Sequence, residues 1–178
     1  MGTAVLSQKV LVPVQAYLNH VYRPDREYVD GVVERRNMGE YDHADIQQVV
    51  LLALLKQGRP LGYRAMQELR VQVSETRFRI PDVCLLPVGL RTPIIRQAPL
   101  LCVEVLSPRD RIVAMRERCE DFLLMGVPAV WIFDPQRRTA YVLTAELFTE
   151  QRNGTLQLSE PSITLDVEEI FAALDVRD

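Results

Sequence analysis

Two stretches of this chain, "APLLCVEVLSP" ending at Pro108 and "PAVWIFDP" ending at Pro135, are apolar almost throughout, and the segment between them, Arg109 to Met125, carries helical spacing. A strand buried on both faces reads as a continuous apolar run, and parallel neighbours need a crossover between them that is usually a helix. Gly126 closes that helix in the manner of a C-terminal glycine. The unit from Leu100 to Phe133 is therefore expected to be a right-handed strand, helix, strand crossover. Such a unit demands a sheet with covered faces, and the chain is expected to be an α/β protein with a central mixed β-sheet flanked by helices.

The remaining segments fit that plan. Residues 12–20 read as a short helix, and "REYVDGVVERRN" as a hairpin turning at Asp30-Gly31. "MGEYDHADIQQVVLLALLKQG" reads as a long helix, with Asp42 expected to cap it, Asp45 in its first turn, and Gly58 ending it before Pro60. Its apolar residues reach most of the way round, which sets it against a sheet. "YRAMQELRVQVS" and "TRFRIPDVCLLP" read as two strands, "RTAYVLTAE" as a hairpin partner, and Val167 to Leu174 as a closing helix. No repeat or Gly/Ser linker divides the chain, so residues 1–178 are expected to form one domain.

A net charge of −3 argues against a general polyanion binder, although a local basic patch is compatible with it. Only Lys9 and Lys56 are lysines, so nearly all the positive charge is arginine and cannot titrate near neutral pH. Cys84, Cys102 and Cys119 lie apart in apolar segments, with only His20 and His43 to join them, which disfavours zinc and disulfides and suggests small core residues. The apolar runs are far shorter than a membrane span and the first residues lack a signal pattern, so a cytoplasmic, membrane-free protein is expected. Trp131 is expected in the core and Asp134-Pro135 in a turn.

Asp82 and Glu104 are each the only acid in an otherwise apolar strand. If those strands are neighbours, two carboxylates meet in a dry place, where repulsion at 4 Å is on the order of 4 kcal/mol at an effective dielectric of 20. A divalent cation reverses that sign. Mg²⁺ suits the pair, because it takes one or two carboxylates and fills its other positions with waters and phosphate oxygens; the carbonyl of Val105 is a natural third ligand. A cation there activates a water and stabilises charge on a scissile phosphate. The plainer alternative is that each acid reaches solvent or pairs with an arginine such as Arg79.

"REYVDGVVE", "RIPDVCLLP", "VEVLSP" and "GVPAVWIFDP" together resemble the Uma-two family of restriction endonucleases, a branch of the PD-(D/E)XK nuclease superfamily, over most of the chain. The resemblance implies a restriction-endonuclease-like core and a Mg²⁺-dependent cut in DNA, with Mn²⁺ able to substitute. It implies Asp82 and Glu104 as metal-binding acids, with Glu34 completing the acidic cluster and His43 at the start of the first core helix. A homodimer is an expectation of the superfamily, since two symmetric sites conveniently cut both strands.

The superfamily's lysine usually stands two residues beyond the second acid, where this chain has Leu106. Many members of the Uma-two kind carry it instead on the following helix, and here that place holds Arg118, in "RERCEDFLLMGV". Arg118 and Arg111 fall together at one edge of the helix's apolar stripe, so their heads can turn to the acids. Arginine can hold a phosphate bidentately but cannot take a proton from water as a lysine of lowered pKa can. Arg35, Arg36, Arg109 and Arg111 would add a basic rim if their loops converge. Two further readings stand beside a working nuclease: a domain that binds nucleic acid without cutting it, and one that keeps the fold to bind a protein partner.

Overall fold

The computed structural model describes residues 11–37 and 39–175. Helix α1 (Val14–Asn19) leads into a hairpin of β1 (Arg26–Val29) and β2 (Val32–Arg35). The turn uses Asp30 and Gly31, both at positive φ, as Asp-Gly turns of this kind require. Helix α2 (Tyr41–Gly58) follows, then β3 (Tyr63–Gln67), β4 (Val71–Ser74), β5 (Arg77–Arg79) and β6 (Val83–Pro87). Strand β7 (Leu101–Val105), helix α3 (Ile112–Met125) and strand β8 (Val130–Asp134) make the crossover unit, with β7 and β8 parallel. The chain then runs through β9 (Thr139–Leu143), β10 (Phe148–Gln151), β11 (Thr155–Leu158), β12 (Ile163–Asp166) and α4 (Val167–Ala172).

Strands β10-β9-β8-β7-β6-β3 form the central six-stranded mixed sheet, while β2-β1-β5-β4 form a second sheet and β11-β12 a short third one. The two segments expected as single strands are each split between the two larger sheets. Glu68, at φ 52°, turns the chain out of β3 before β4. Between β5 and β6 stands Pro81, which has no N–H to give a ladder. The cap of α2 also differs from expectation: Glu40 is at the N-cap position without a side-chain cap bond, and Asp42 lies in the first turn, where its charge still faces the exposed amides.

Alternation along the central strands builds two cores. Val83, Leu85, Val103, Val105, Trp131 and Phe133 face α2 and α4, where Ile46, Val50 and Leu54 close the layer. Cys84, Cys102, Ile132 and their neighbours face α3, through Met115, Cys119 and Phe122. All three cysteines are free and buried. Fully burying one such aliphatic or aromatic side chain is worth about 1.5–3 kcal/mol, so these layers fix where the strand ends lie. Tyr17, Tyr28 and Phe78 form a smaller aromatic core under the second sheet.

Candidate active site

Strands β6 and β7 pair antiparallel with Val83 facing Val103, so the next residues outward, Asp82 and Glu104, come opposite each other. Glu104 falls in the alternate row with Cys102 and Leu106, on the α3 side. Both acids are buried, Asp82 at 2% exposure and Glu104 at 0%. The expectation that the two carboxylates are neighbours is met, and neither reaches solvent.

Their surroundings differ sharply. The Asp82 carboxylate accepts the Val105 amide at 2.7 Å and a hydrogen bond from Arg36, and His43 Nε2 lies 3.3 Å from Oδ2. Gln47, one helical turn beyond His43, donates to the Asp82 carbonyl at 3.0 Å. Burial by itself raises the pKa of such a group, but His43, Arg36 and the Val105 amide together bring that of Asp82 below its ordinary value. Asp82 is therefore a held anion.

Glu104 has no such support. Neither of its carboxylate oxygens has a hydrogen-bond partner among the described residues. Arg118 Nη2 lies 3.2 Å from Oε1 as an ion-pair neighbour, yet its hydrogen bonds go elsewhere. Burial pushes the Glu104 pKa well up; Arg118 opposes that and the Asp82 charge adds to it. Buried polar atoms are nearly always hydrogen-bonded, so a buried carboxylate met by one ion-pair neighbour and no hydrogen bond keeps donor capacity for a ligand.

Arg118 is fixed by Glu27, a residue that hydropathy did not single out. Its Nη2 donates to Glu27 Oε1 at 2.7 Å and to the Ile80 carbonyl at 3.1 Å. Glu27 is 3% exposed, accepts the Ile80 amide at 2.8 Å, and takes a second guanidinium, Arg79, at 2.8 Å. Arg79 in turn donates to Asp121 of α3 at 2.7 Å, so the expected alternative, that each acid pairs with an arginine, is met by Arg36 for Asp82 and Arg118 for Glu104 and not by Arg79. Glu34 is paired with Glu27 across the hairpin, but its side chain is 44% exposed and stands 3.4 Å from Arg79 on the cleft wall. Leu106 lies buried in the α3-side core and offers no charge.

A cleft of about 500 Å³ opens over this assembly, with Glu27, Glu34, Arg36, Arg79 and Arg118 among its walls. Asp82 and Glu104 are not among its lining residues, whereas Arg36 and Arg118, their ion-pair partners, are. Among the described residues, no three His, Cys, Asp or Glu side chains group as a metal cage. A pair of carboxylates with one set of free oxygens is nevertheless a donor set that fits Mg²⁺, which does not need a cage. The described residues also contain no helix long and apolar enough to cross a membrane.

Comparison with solved structures finds a protein described as "a putative nuclease belonging to DUF820" from Anabaena variabilis, with a TM-score of 0.79 and 20% identity over 90% of this chain and 97% of that one. At that identity the likeness is one of fold. A chain of a DrdV–DNA complex matches far more loosely, with a TM-score of 0.44 and 14% identity over 72% of this chain and 10% of that one. No curated protein matches the chain. The Uma2 family model, described as "Putative restriction endonuclease", matches residues 17–177. With the nuclease-like fold beneath it and the acid pair where the family motif falls, the chain belongs to the Uma2 family.

Proposed function

We propose that the chain is a Mg²⁺-dependent endonuclease that hydrolyses phosphodiester bonds in DNA, with Mn²⁺ able to replace Mg²⁺. The observation that carries this is Glu104: a buried carboxylate that accepts no hydrogen bond among the described residues and has Arg118 as its ion-pair neighbour, beside a second carboxylate, beneath an arginine-walled cleft. Asp82 and Glu104, with the Val105 carbonyl, are the groups that would hold the ion. When bound, it would supply Lewis acidity toward a water and positive charge against the scissile phosphate.

The chain's own side chains have distinct parts to play. Arg118 binds the phosphate oxygens, as a permanent cation with a planar fork of donors, and offsets charge that builds on them. Glu27 is a positioning residue, since it holds the Arg118 fork through Oε1. His43 and Arg36 orient Asp82 and hold it ionised. Glu34, half-exposed on the wall, adds negative charge at the cleft mouth.

A second reading, binding without cleavage, draws on Arg118 itself. It replaces a lysine that could deprotonate a water, and it is already engaged by Glu27, Glu104 and Ile80. Plasmid nicking decides between them. Wild type with Mg²⁺ or Mn²⁺ is expected to convert supercoiled plasmid, and Asp82→Ala or Glu104→Gln to leave it intact. Equal nicking by wild type and variants would assign the activity to a contaminant, and intact plasmid with tight binding would establish the second reading.

A further inference from the structure

Beside the cleft lies a second groove of about 680 Å³, and the two share Arg35, Arg36 and Asn37 as a common wall. Arg23 and Arg109 also line the groove, and Arg111 lines the cleft. These arginines differ in kind from those in the site. Arg36, Arg79 and Arg118 are committed to buried acids, whereas Arg23, Arg35, Arg109 and Arg111 are exposed and make no ion pair among the described residues. Asp25 and Glu40 are the acids on the groove wall. A run of unpaired guanidinium groups across the mouth of the site, in a chain of net charge −3, is a local field opposite to that of the whole molecule.

We infer that this groove is the track for the sugar-phosphate backbone of duplex DNA, leading one strand from Arg23 and Arg109 past Arg35 to the buried acids. The inference rests on the nuclease reading for the identity of the ligand. Two features select a duplex backbone over a single strand. Among the described residues, neither the groove nor the cleft has a Trp, Tyr or Phe on its walls. Proteins that grip single strands rely on aromatic platforms on which bases stack. What the groove offers is charged, bidentate donors without an aromatic stacking platform, which suits phosphates.

Fluorescence anisotropy tests this with a short labelled duplex and the matching single strand, in Ca²⁺ to hold cleavage in check, across a range of salt. Arg23→Ala with Arg109→Ala is the groove variant, and Arg152→Ala, in the turn after β10, is the control; all are exposed positions, and equal melting temperatures verify folding. The double variant is expected to bind the duplex on the order of tenfold more weakly. It should also lower the slope of log affinity against log salt by about two, one for each arginine taken from a phosphate. Unchanged affinity and slope, or a single strand bound as tightly as the duplex, would overturn the inference. Plasmid nicking run in parallel separates the two readings. A wild type that never nicks but loses duplex binding with the groove variant leaves the groove assignment standing and removes the nuclease. A wild type that nicks, with groove variants that bind and nick equally well, removes the groove assignment alone.

Discussion

Asp82 and Glu104 are held by the protein in opposite ways, and the difference can be measured. Asp82 is ionised and tied to Arg36, His43 and the Val105 amide, so Asp82→Asn leaves the Arg36 cation facing a neutral amide. We expect that change to cost about 3 kcal/mol, the low end for breaking a buried pair, because Arg36 has Glu68 at 3.7 Å to turn to. Glu104 makes no hydrogen bond to lose, and burial pushes its pKa well up against the opposing Arg118 charge. Glu104→Gln should therefore move stability by no more than about 1 kcal/mol in urea unfolding. Under the proposed function Mg²⁺ is expected to raise the melting temperature of the wild type, since a ligand bound only by the native state stabilises it, and the same variant should abolish that rise. A Mg²⁺ shift that survives in Glu104→Gln would place the ion elsewhere.

Glu27, like Asp82, contributes to the acid limb of stability. Burial alone would raise its pKa, but Arg118, Arg79 and the Ile80 amide bring it below the ordinary 4.5. The unfolded chain then binds the extra proton first, so this stability is fully present above 4.5 and is lost as pH falls from there through the folded value. Glu27→Gln should flatten that acid loss while weakening the protein at neutral pH, which urea midpoints at the two pH values will show. Glu27 escaped the sequence reading because an acid beside Arg26 in a short hairpin strand resembles a solvated edge residue. What buries it, Arg79 and Arg118, is distant in the chain. Asp82 and Glu104 were legible because their neighbours in the same segments are all apolar.

At the level of elements, helix α3 is the joint between the sheets. It packs on the central sheet through Cys119 and Phe122, and Asp121, next along, receives Arg77 and Arg79 from β5 of the second sheet. Asp121→Asn leaves two guanidinium groups short of an anion, one of them buried, and is expected to cost about 3–5 kcal/mol in denaturant unfolding. A cost of less than about 1 kcal/mol would mean that apolar packing alone joins the sheets. The crossover through β7, α3 and β8 was readable because long apolar runs and a helical stripe leave little choice. The split of "YRAMQELRVQVS" and "TRFRIPDVCLLP" was not, because a strand that leaves one sheet for another keeps the same alternation; only Glu68 at positive φ and Pro81 mark the passage. Strands β10, β11 and β12 were missed for a different reason: "FTEQ" and "TLQL" are short and half polar, too weak a signal against a loop.

At the scale of the whole molecule, one chain supplies both acids, the fixed Arg118 and the arginine groove, and no described part of the site waits for a second copy to complete it. A single chain acting by the proposed function would present one cutting centre to one strand of a duplex. Under the proposed function, supercoiled plasmid should first give nicked circles at a rate proportional to protein concentration, with linear product following by a second, independent nick. A working homodimer, the expectation carried by the superfamily, would act differently: linear product would appear without a nicked phase, and its rate would climb with the square of concentration where dimers are scarce. Gel time courses over a range of protein concentrations, beside size-exclusion chromatography of the same samples, distinguish the two. Direct linearisation by a species of twice the monomer mass would show that the symmetric partner, and not the single chain, is the cutting unit.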